Sequence, residues 1–250
     1  MGRIAQIIWY ESIDSTNNEA IRHISELDNL SVLAAVEQTA GRGQRGNSWK
    51  SAAGRNLTFS IVLKFGDGDL PDLSAKDQFR ITLAATLSVR RFLAMKGADT
   101  RVKWPNDIYA GRKKICGMLI ENGLEGSGLK WSVIGIGINV NQKDFRTDMI
   151  NAVSLSALTG QEYPLRESLE EFMDCFMHYL PMIWEAPSSL SDEYLANMYQ
   201  KDTECEYVDC ASGETFRAVI TGVTEDARLR LVLPDGSERS YAFKEVSYVI

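Results

Sequence analysis

The sequence predicts an α+β fold, with a mixed β-sheet flanked by helices over residues 1–200 and a small β-barrel over residues 201–250. Three observations carry that expectation. Apolar residues alternate with a period of two in several short segments before Asn141, the spacing turns helical from about Ser74 to Met95 and again past Asn151, and the last 50 or so residues read as strands alone. A chain of 250 residues also suits one principal unit with an appendage.

The elements follow in order. Asp14-Ser15-Thr16 opens a helix: Thr16 and Glu19 have capping-box spacing, and Ala20, Ile21, Ile24 and Leu27 supply one apolar face. A strand over Val32 to Glu37 leads through a Gly-rich loop to a second strand. There Leu57, Phe59, Ile61 and Leu63 alternate with Thr58, Ser60 and Val62, as in a sheet with one face well buried. The helix that follows carries Phe79, Leu83, Ala84 and Leu87 on one stripe. Arg101 to Trp104, Ile115 to Glu121 and Trp131 to Asn141 read as strands, separated by turn signals at Asn106-Asp107, Gly111 and Gly123 to Gly128. Leu165, Leu169, Phe172, Phe176, Leu180 and Ile183 then keep one helical face. From Glu204 short strands are punctuated by Ser212-Gly213, Glu225-Asp226 and Pro234-Asp235-Gly236.

Composition narrows the function. The hydrophobic fraction of 44% and charged fraction of 24% are those of a globular chain, not a disordered or disulfide-scaffold one. No apolar run approaches the roughly 18 residues of a membrane span, and Met1 to Tyr10 is too short and mixed for a signal peptide, so a cytoplasmic protein is expected. The net charge of −7 argues against bulk electrostatic binding of nucleic acid. Within it, Gly41 to Arg55 holds four basic residues and no acid, and Arg101 to Lys114 holds five basic residues and one acid. Two cationic islands in an acidic chain suit a local phosphate or carboxylate. Cys116, Cys175, Cys205 and Cys210 are scattered, and with only His23 and His178 no zinc constellation or His-based triad can be assembled.

Three constellations could carry chemistry. In Gly41-Arg42-Gly43-Gln44-Arg45-Gly46-Asn47-Ser48-Trp49 the glycines let backbone N–H groups approach a ligand, the arginines offer planar forks for an anion, and Trp49 could stack on a flat heterocycle. The same composition also suits a solvated basic loop. In Lys103-Trp104-Pro105-Asn106-Asp107, followed by Arg112-Lys113-Lys114, Asn106 has a purely structural reading as a turn residue. Lys103 and Lys114, however, sit on strands that would hold them rigidly, where each could offset charge near a phosphoryl centre. In Trp131 to Asn141, Gly135 and Gly137 share a face with Val133 and Asn139. Two strand glycines on one face call for a ligand or a crossing backbone there, with a bulge or tight helix contact as the structural alternative.

Together these segments resemble the biotin protein ligases, on five blocks in the family's order: Asp14-Ser15-Thr16-Asn17, Gln38-Thr39-Ala40-Gly41-Arg42-Gly43, Lys103-Trp104-Pro105-Asn106-Asp107, Lys114 before Gly117, and Gly135-Ile136-Gly137-Ile138-Asn139-Val140. The resemblance implies a class II aminoacyl-tRNA-synthetase/biotin-ligase-like catalytic domain and an SH3-like C-terminal barrel. It implies two reactions: the biotin carboxylate attacks the α-phosphate of ATP to give biotinyl-5′-AMP and pyrophosphate, with Mg²⁺, and a lysine of a biotin carboxyl carrier protein then takes the biotinyl group, releasing AMP. By the same resemblance, Lys114, Arg42 and Lys103 are the catalytic candidates. Ser15, Thr16, Asn17 and Gln38 would meet the ureido end of biotin, and Arg42, Gly43, Gln44 and Arg45 would form a loop over the carboxylate and phosphate, mobile before ligand arrives. Gly117, Gly135 and Gly137 would make room for the bicyclic ring. Trp49 and Asn139 would contact adenine, with Asn47, Lys103, Asn106, Arg45 and Lys114 on the ATP side. Several family members have Arg where this chain has Gln44, so Arg42, Arg45 or Lys113 would cover that charge. The Asp-Ser-Thr-Asn block begins at residue 14, where bifunctional relatives carry a DNA-binding domain first, so a monofunctional ligase with no nucleic-acid or membrane partner is expected, with a homodimer compatible. Lipoate ligation and a non-catalytic biotin-binding regulator are the rival readings.

Overall fold

The structure, a computed structural model, describes residues 6–66, 70–145 and 151–249, with the side chain of Arg45 outside the described set. The chain begins with β1 (Gln6–Ile13), which runs parallel to β2 (Ser31–Gln38) across the short helix α1 (Thr16–Arg22). β2 pairs antiparallel with β3 (Leu57–Lys64), and α2 (Phe79–Met95) follows. Then come β4 (Arg101–Lys103), β5 (Asp107–Ala110), β6 (Lys113–Glu125) and β7 (Gly128–Ile138). Among the described residues these strands form one mixed sheet in the order β1-β2-β3-β7-β6-β5-β4. β7 returns to lie between β3 and β6, which puts the strand bearing Gly135 and Gly137 at the sheet's centre.

One face of that sheet is closed by α2 and by α4 (Leu165–Tyr179), which follows the short α3 (Leu155–Thr159). Phe59 of β3 and Phe92 of α2 both pack on Phe172 of α4, with ring centroids 5.0 and 6.3 Å apart. Each fully buried side chain of this size stabilises the fold by about 1.5–3 kcal/mol, so the layer is held mainly by apolar burial. The helical run expected through Ile183 is interrupted: α4 ends at Tyr179, Pro181 precedes α5 (Met182–Glu185), and Pro187 opens α6 (Pro187–Ala196). Proline removes an amide donor and is accepted at a helix start, so each one restarts the helix.

The opposite face is left largely to α1. Ser15, not Thr16, is its N-cap; the Ser15 Oγ accepts from the Asn18 amide at 3.5 Å. The expected apolar face extends past the helix end, because α1 stops at Arg22 and Leu27 is buried from the following turn. A helix this short covers only part of the sheet, and the exposed remainder is where the cavity lies.

The C-terminal strands β8 (Glu204–Asp209), β9 (Thr215–Val223), β10 (Leu229–Val232), β11 (Glu238–Tyr241) and β12 (Val246–Tyr248) form an antiparallel sheet in the order β11-β10-β9-β8-β12. Among the described residues no pair joins β11 to β12, so the strands expected to form a barrel are seen as a five-stranded antiparallel sheet. The two sheets touch at the end of β4: Trp104 Nε1 donates to the Ala227 carbonyl at 3.1 Å, and its ring meets Phe243 edge-on at 6.1 Å. Among the described residues, no helix is long and apolar enough to cross a membrane.

Candidate active site

A cavity of about 400 Å³ opens on the α1 face of the large sheet, lined by the start of α1, the loop after β2, the ends of β5 and β6, the centre of β7 and a turn of the C-terminal sheet. Its polar floor is built from residues far apart in sequence. Gln38 Oε1, at the end of β2, accepts from the Thr16 amide at 2.8 Å and from the Thr16 hydroxyl at 3.2 Å. Ser60 Oγ of β3 lies 2.7 Å from Thr16 Oγ1 and donates to Asn17 Oδ1 at 2.6 Å. Asn17 Nδ2 donates to the Leu119 carbonyl at 3.1 Å and to Glu121 Oε2 at 2.9 Å. Side chains so fully hydrogen-bonded hold their orientation before any ligand arrives.

The loop after β2 closes on itself. Arg42 bridges Ser48, the Gly43 amide donates to the Asn47 carbonyl at 2.7 Å, and the Trp49 amide donates to the Gly41 carbonyl at 2.9 Å. Gly41 is required for this closure, since a Cβ there would fall 2.4 Å from the Trp49 carbonyl oxygen. Arg42 reaches back to the floor: Nη2 donates to Glu121 Oε1 at 2.8 Å and Nη1 to Asn18 Oδ1 at 2.7 Å.

The glycine face of β7 is occupied by side chains, where the sequence suggested a ligand or a crossing backbone. A Cβ on Gly135 would fall 2.1 Å from Asn17 Oδ1, and one on Gly137 would fall 2.3 Å from Trp49 Cε2. Gly117 on the neighbouring strand would clash less severely, at 3.0 Å from Trp49 Cζ3 and Lys114 Nζ. Glycine there lets an indole lie flat against the sheet. Trp49 also lines the cavity, so it can present a stacking surface to it. Trp49 Nε1 and Gln44 Oε1 are buried without a hydrogen-bond partner.

At the other end, Lys114 Nζ lies 2.7 Å from Asp107 Oδ1 and 6.0 Å from the centre of the Trp49 ring. Its backbone is fixed on both sides, with its amide donating to the Asn151 carbonyl at 2.6 Å and its carbonyl accepting from the Val153 amide at 3.0 Å. Asn106, buried and donating to the Met118 carbonyl at 3.0 Å, lines the cavity beside it.

Of the residues singled out from sequence, Ser15, Thr16, Asn17, Gln38, Arg42, Gly43, Gln44, Asn47, Trp49, Asn106, Lys114, Gly117, Gly135 and Gly137 all line this cavity. Two lie elsewhere. Lys103 points toward the C-terminal sheet, with its ammonium 4.5 Å from the centre of the Tyr248 ring and 5.3 Å from that of Tyr109. Burial there lowers its pKa, with the Asp107 carboxylate opposing and the Lys114 charge adding to the fall. Asn139 is buried and gives its side-chain N–H to the Val153 carbonyl at 3.2 Å. The Arg45 side chain lies outside the described residues.

Sequence reasoning gave no role to Asp107, Ser60, Glu121, Phe243 or Lys244. Phe243 and Lys244 reach the cavity from a turn of the C-terminal sheet in which Lys244 has φ +67°. Asp107 stood in a quoted motif and the others had no local signal, because their positions depend on pairings more than 40 residues apart. Among the described residues no group of three or more His, Cys, Asp or Glu side chains could hold a metal ion. Asp107, paired with Lys114, is the carboxylate that lines the cavity.

Residues 9–139 match the model of the biotin/lipoate A/B protein ligase family. The bifunctional ligase/repressor BirA of Bacillus spizizenii is 33% identical over 179 residues, covering 68% of this chain and 52% of that protein. Biotin–protein ligase 1, chloroplastic, of Arabidopsis thaliana is 27% identical, covering 92% of this chain and 66% of that protein. The alignments with the two Bacillus relatives span about half the length of those proteins. The biotin protein ligase from Aquifex aeolicus in complex with biotin and ATP superposes with a TM-score of 0.77 at 24% identity, covering 97% of this chain and 98% of that one, which shows the shared fold.

Proposed function

Because the chain belongs to the biotin/lipoate A/B protein ligase family, we propose that it joins biotin to a lysine of a carboxyl carrier domain at the expense of ATP. One cavity combines a hydrogen-bonding floor of Thr16, Asn17 and Gln38, backed by the buried Ser60, with Lys114, Arg42 and an aromatic platform, and that combination carries the proposal. A ureido group has two donors and a strong acceptor, which such a floor can match; a dithiolane ring has neither. The likeness to a biotin–protein ligase of Arabidopsis thaliana and to an Aquifex aeolicus biotin protein ligase in complex with biotin and ATP supports biotin and ATP as the small substrates.

In this reading the biotin tail runs from the floor toward Lys114. One carboxylate oxygen attacks the α-phosphorus of ATP, the bond to the bridging oxygen of pyrophosphate breaks, and biotinyl-5′-AMP forms. Two anions must meet, so the protein's contribution is alignment and fixed positive charge: Lys114 at the reacting oxygens and Arg42 across from it. Mg²⁺ on the triphosphate would neutralise the leaving group, beside Asp107. Trp49 would stack on adenine. The neutral carrier amine then attacks the acyl carbon, its nitrogen loses a proton to solvent, and AMP leaves with the C–O bond electrons. Nothing in this scheme needs a protein nucleophile. Cys116 is buried, and burial raises its thiol pKa well above the ordinary value.

The test is to supply ATP, a carrier domain and either biotin or lipoate, and to weigh the carrier by mass spectrometry. Biotin mass on one lysine is expected. Lipoate mass would move the protein to the family's other branch, and binding of biotin without labelling would make it a regulator.

A further inference from the structure

Among the described residues, Glu121 is the one carboxylate that hydrogen-bonds both Asn17 at the cavity floor and Arg42 of the loop. Through Oε2 it accepts from Asn17 Nδ2, at the cavity floor, at 2.9 Å, and both of its oxygens face Arg42, at 2.8 Å to Nη2 and 3.2 Å to Nη1. Glu121 itself does not line the cavity, whereas Asn17 and Arg42 do. It sits on β6, paired with Val133 of β7 in the middle of the sheet, so its backbone cannot follow the loop. Arg42, by contrast, belongs to a loop whose other hydrogen bonds run mostly within itself. A two-point carboxylate–guanidinium pair fixes the plane of the guanidinium as well as its position.

We propose that Glu121 is a positioning residue that ties Arg42 to the cavity floor, so that ligand contacts at Asn17 and placement of the loop arginine are coupled. Glu121 stands at the centre of a continuous chain of hydrogen bonds from Gln38 through Thr16, Ser60 and Asn17 to Arg42 and Asn18. A ligand that pulls on the Asn17 amide therefore acts on the same carboxylate that orients Arg42. With both Nη1 N–H groups and one Nη2 N–H donating to Asn18 and Glu121, Arg42 keeps its second Nη2 N–H and its Nε N–H for an anion in the cavity. The functional half of this inference rests on the ligase reading; the geometric half does not.

The test uses Glu121→Gln, which keeps size but turns one oxygen into a donor facing Arg42 or Asn17, with Glu121→Asp as a second variant that keeps the charge. In ligand-free protein, trypsin should cut after Arg42 faster in Glu121→Gln than in wild type, and Glu121→Asp should fall between them. Equal cleavage rates at equal thermal stability would overturn the tie whatever the protein's activity. In adenylation kinetics, losing one charge-assisted pair should raise the KM for biotin and the release rate of the adenylate by about 10-fold or more, with a smaller effect on kcat. Adding Arg42→Ala to Glu121→Gln should cost little beyond Arg42→Ala alone, because both remove the same arrangement. Multiplicative losses would show that Glu121 acts independently of Arg42. Failure of the wild type to form any adenylate would remove the ligase reading, and the cleavage rates would still decide the tie.

Discussion

A Gly137→Ala substitution would place a methyl group 2.3 Å from Trp49 Cε2 and 2.6 Å from its Cζ2 and Nε1. Gly137 is paired with Thr58 on one side and Gly117 on the other, so the strand cannot retreat. Carbon atoms rest about 3.5–4.0 Å apart, and the indole must therefore move outward by about 1 Å or more. The loop that carries Trp49 is what yields. Alanine itself suits a strand better than glycine by roughly 0.5–1 kcal/mol, so the melting temperature should stay within about 4 °C of wild type. Stacking of a base on an aromatic ring contributes about 1–3 kcal/mol, and its loss should raise the KM for ATP about 5-fold or more. The assay is adenylate formation against ATP at saturating biotin, repeated against biotin at saturating ATP. Gly135→Ala provides the contrast, because its methyl would fall 2.1 Å from Asn17 Oδ1 and disturb the floor instead. That variant should raise the KM for biotin more than that for ATP. Unchanged ATP dependence in Gly137→Ala, or the same shift for both substrates in both variants, would refute the assignment of Trp49 to one end of the cavity and Asn17 to the other.

Lys114→Ala should slow single-turnover adenylate formation by about 10²-fold or more, the scale of one lost electrostatic stabiliser, while leaving thermal stability close to wild type; unchanged adenylation would remove Lys114 from the chemistry. Tyr207→Phe should leave stability at pH 7 unchanged or raise it by about 1 kcal/mol, measured by urea unfolding, because the Tyr207 hydroxyl is buried without a partner. Burial raises the pKa of Tyr109 to about 12 and pushes up those of Tyr194, Tyr207 and Tyr248. The folded state thus holds these phenolic protons more tightly than the unfolded chain, so their contribution is intact below pH 10 and is lost as pH rises through the folded values. Lys103 works in the opposite direction, since burial lowers its pKa and the folded state gains as pH rises toward 10.5. Four phenols outweigh one amine. Unfolding midpoints should fall steadily above pH 10, and less steeply in Tyr207→Phe; a flat profile would contradict the burial argument.

The elements legible in the sequence were those whose burial is one-sided and local. β3 is an example: its alternation is plain, and Ser60 in the polar half of that alternation turned out to be a floor residue. β1 was not legible, because an edge strand with a mostly half-exposed QIIWYESI pattern has no clean period. β5 was hidden because Asn106-Asp107 signals a turn and the strand that begins at Asp107 is only four residues long. The break between α4 and α5 could have been read from Pro181, but continuous apolar spacing from Leu165 to Ile183 masked it. For the cavity, the motif blocks located Gln38, Lys114, Gly117, Gly135 and Gly137 on the large sheet, but not Phe59, Met118 or Leu119. They could not reveal that Lys103 faces Tyr248, nor that Phe243 and Lys244 complete the cavity, because both depend on how the second sheet docks against the first. Glycines were recognised as making room, but what fills the room depends on the path of the loop that brings Trp49 back across β7.

In the proposed reaction one cavity activates a carboxylate by adenylation before transfer. Mixing the protein with biotin and ATP labelled at the α-phosphate, then separating the quenched products, tests it most directly. Biotinyl-5′-AMP is expected to stay on the protein at close to one equivalent, matched by pyrophosphate, and to be converted to free AMP when a carrier domain is added. Absence of any labelled adenylate, with biotin and ATP both bound, would contradict the proposed reaction.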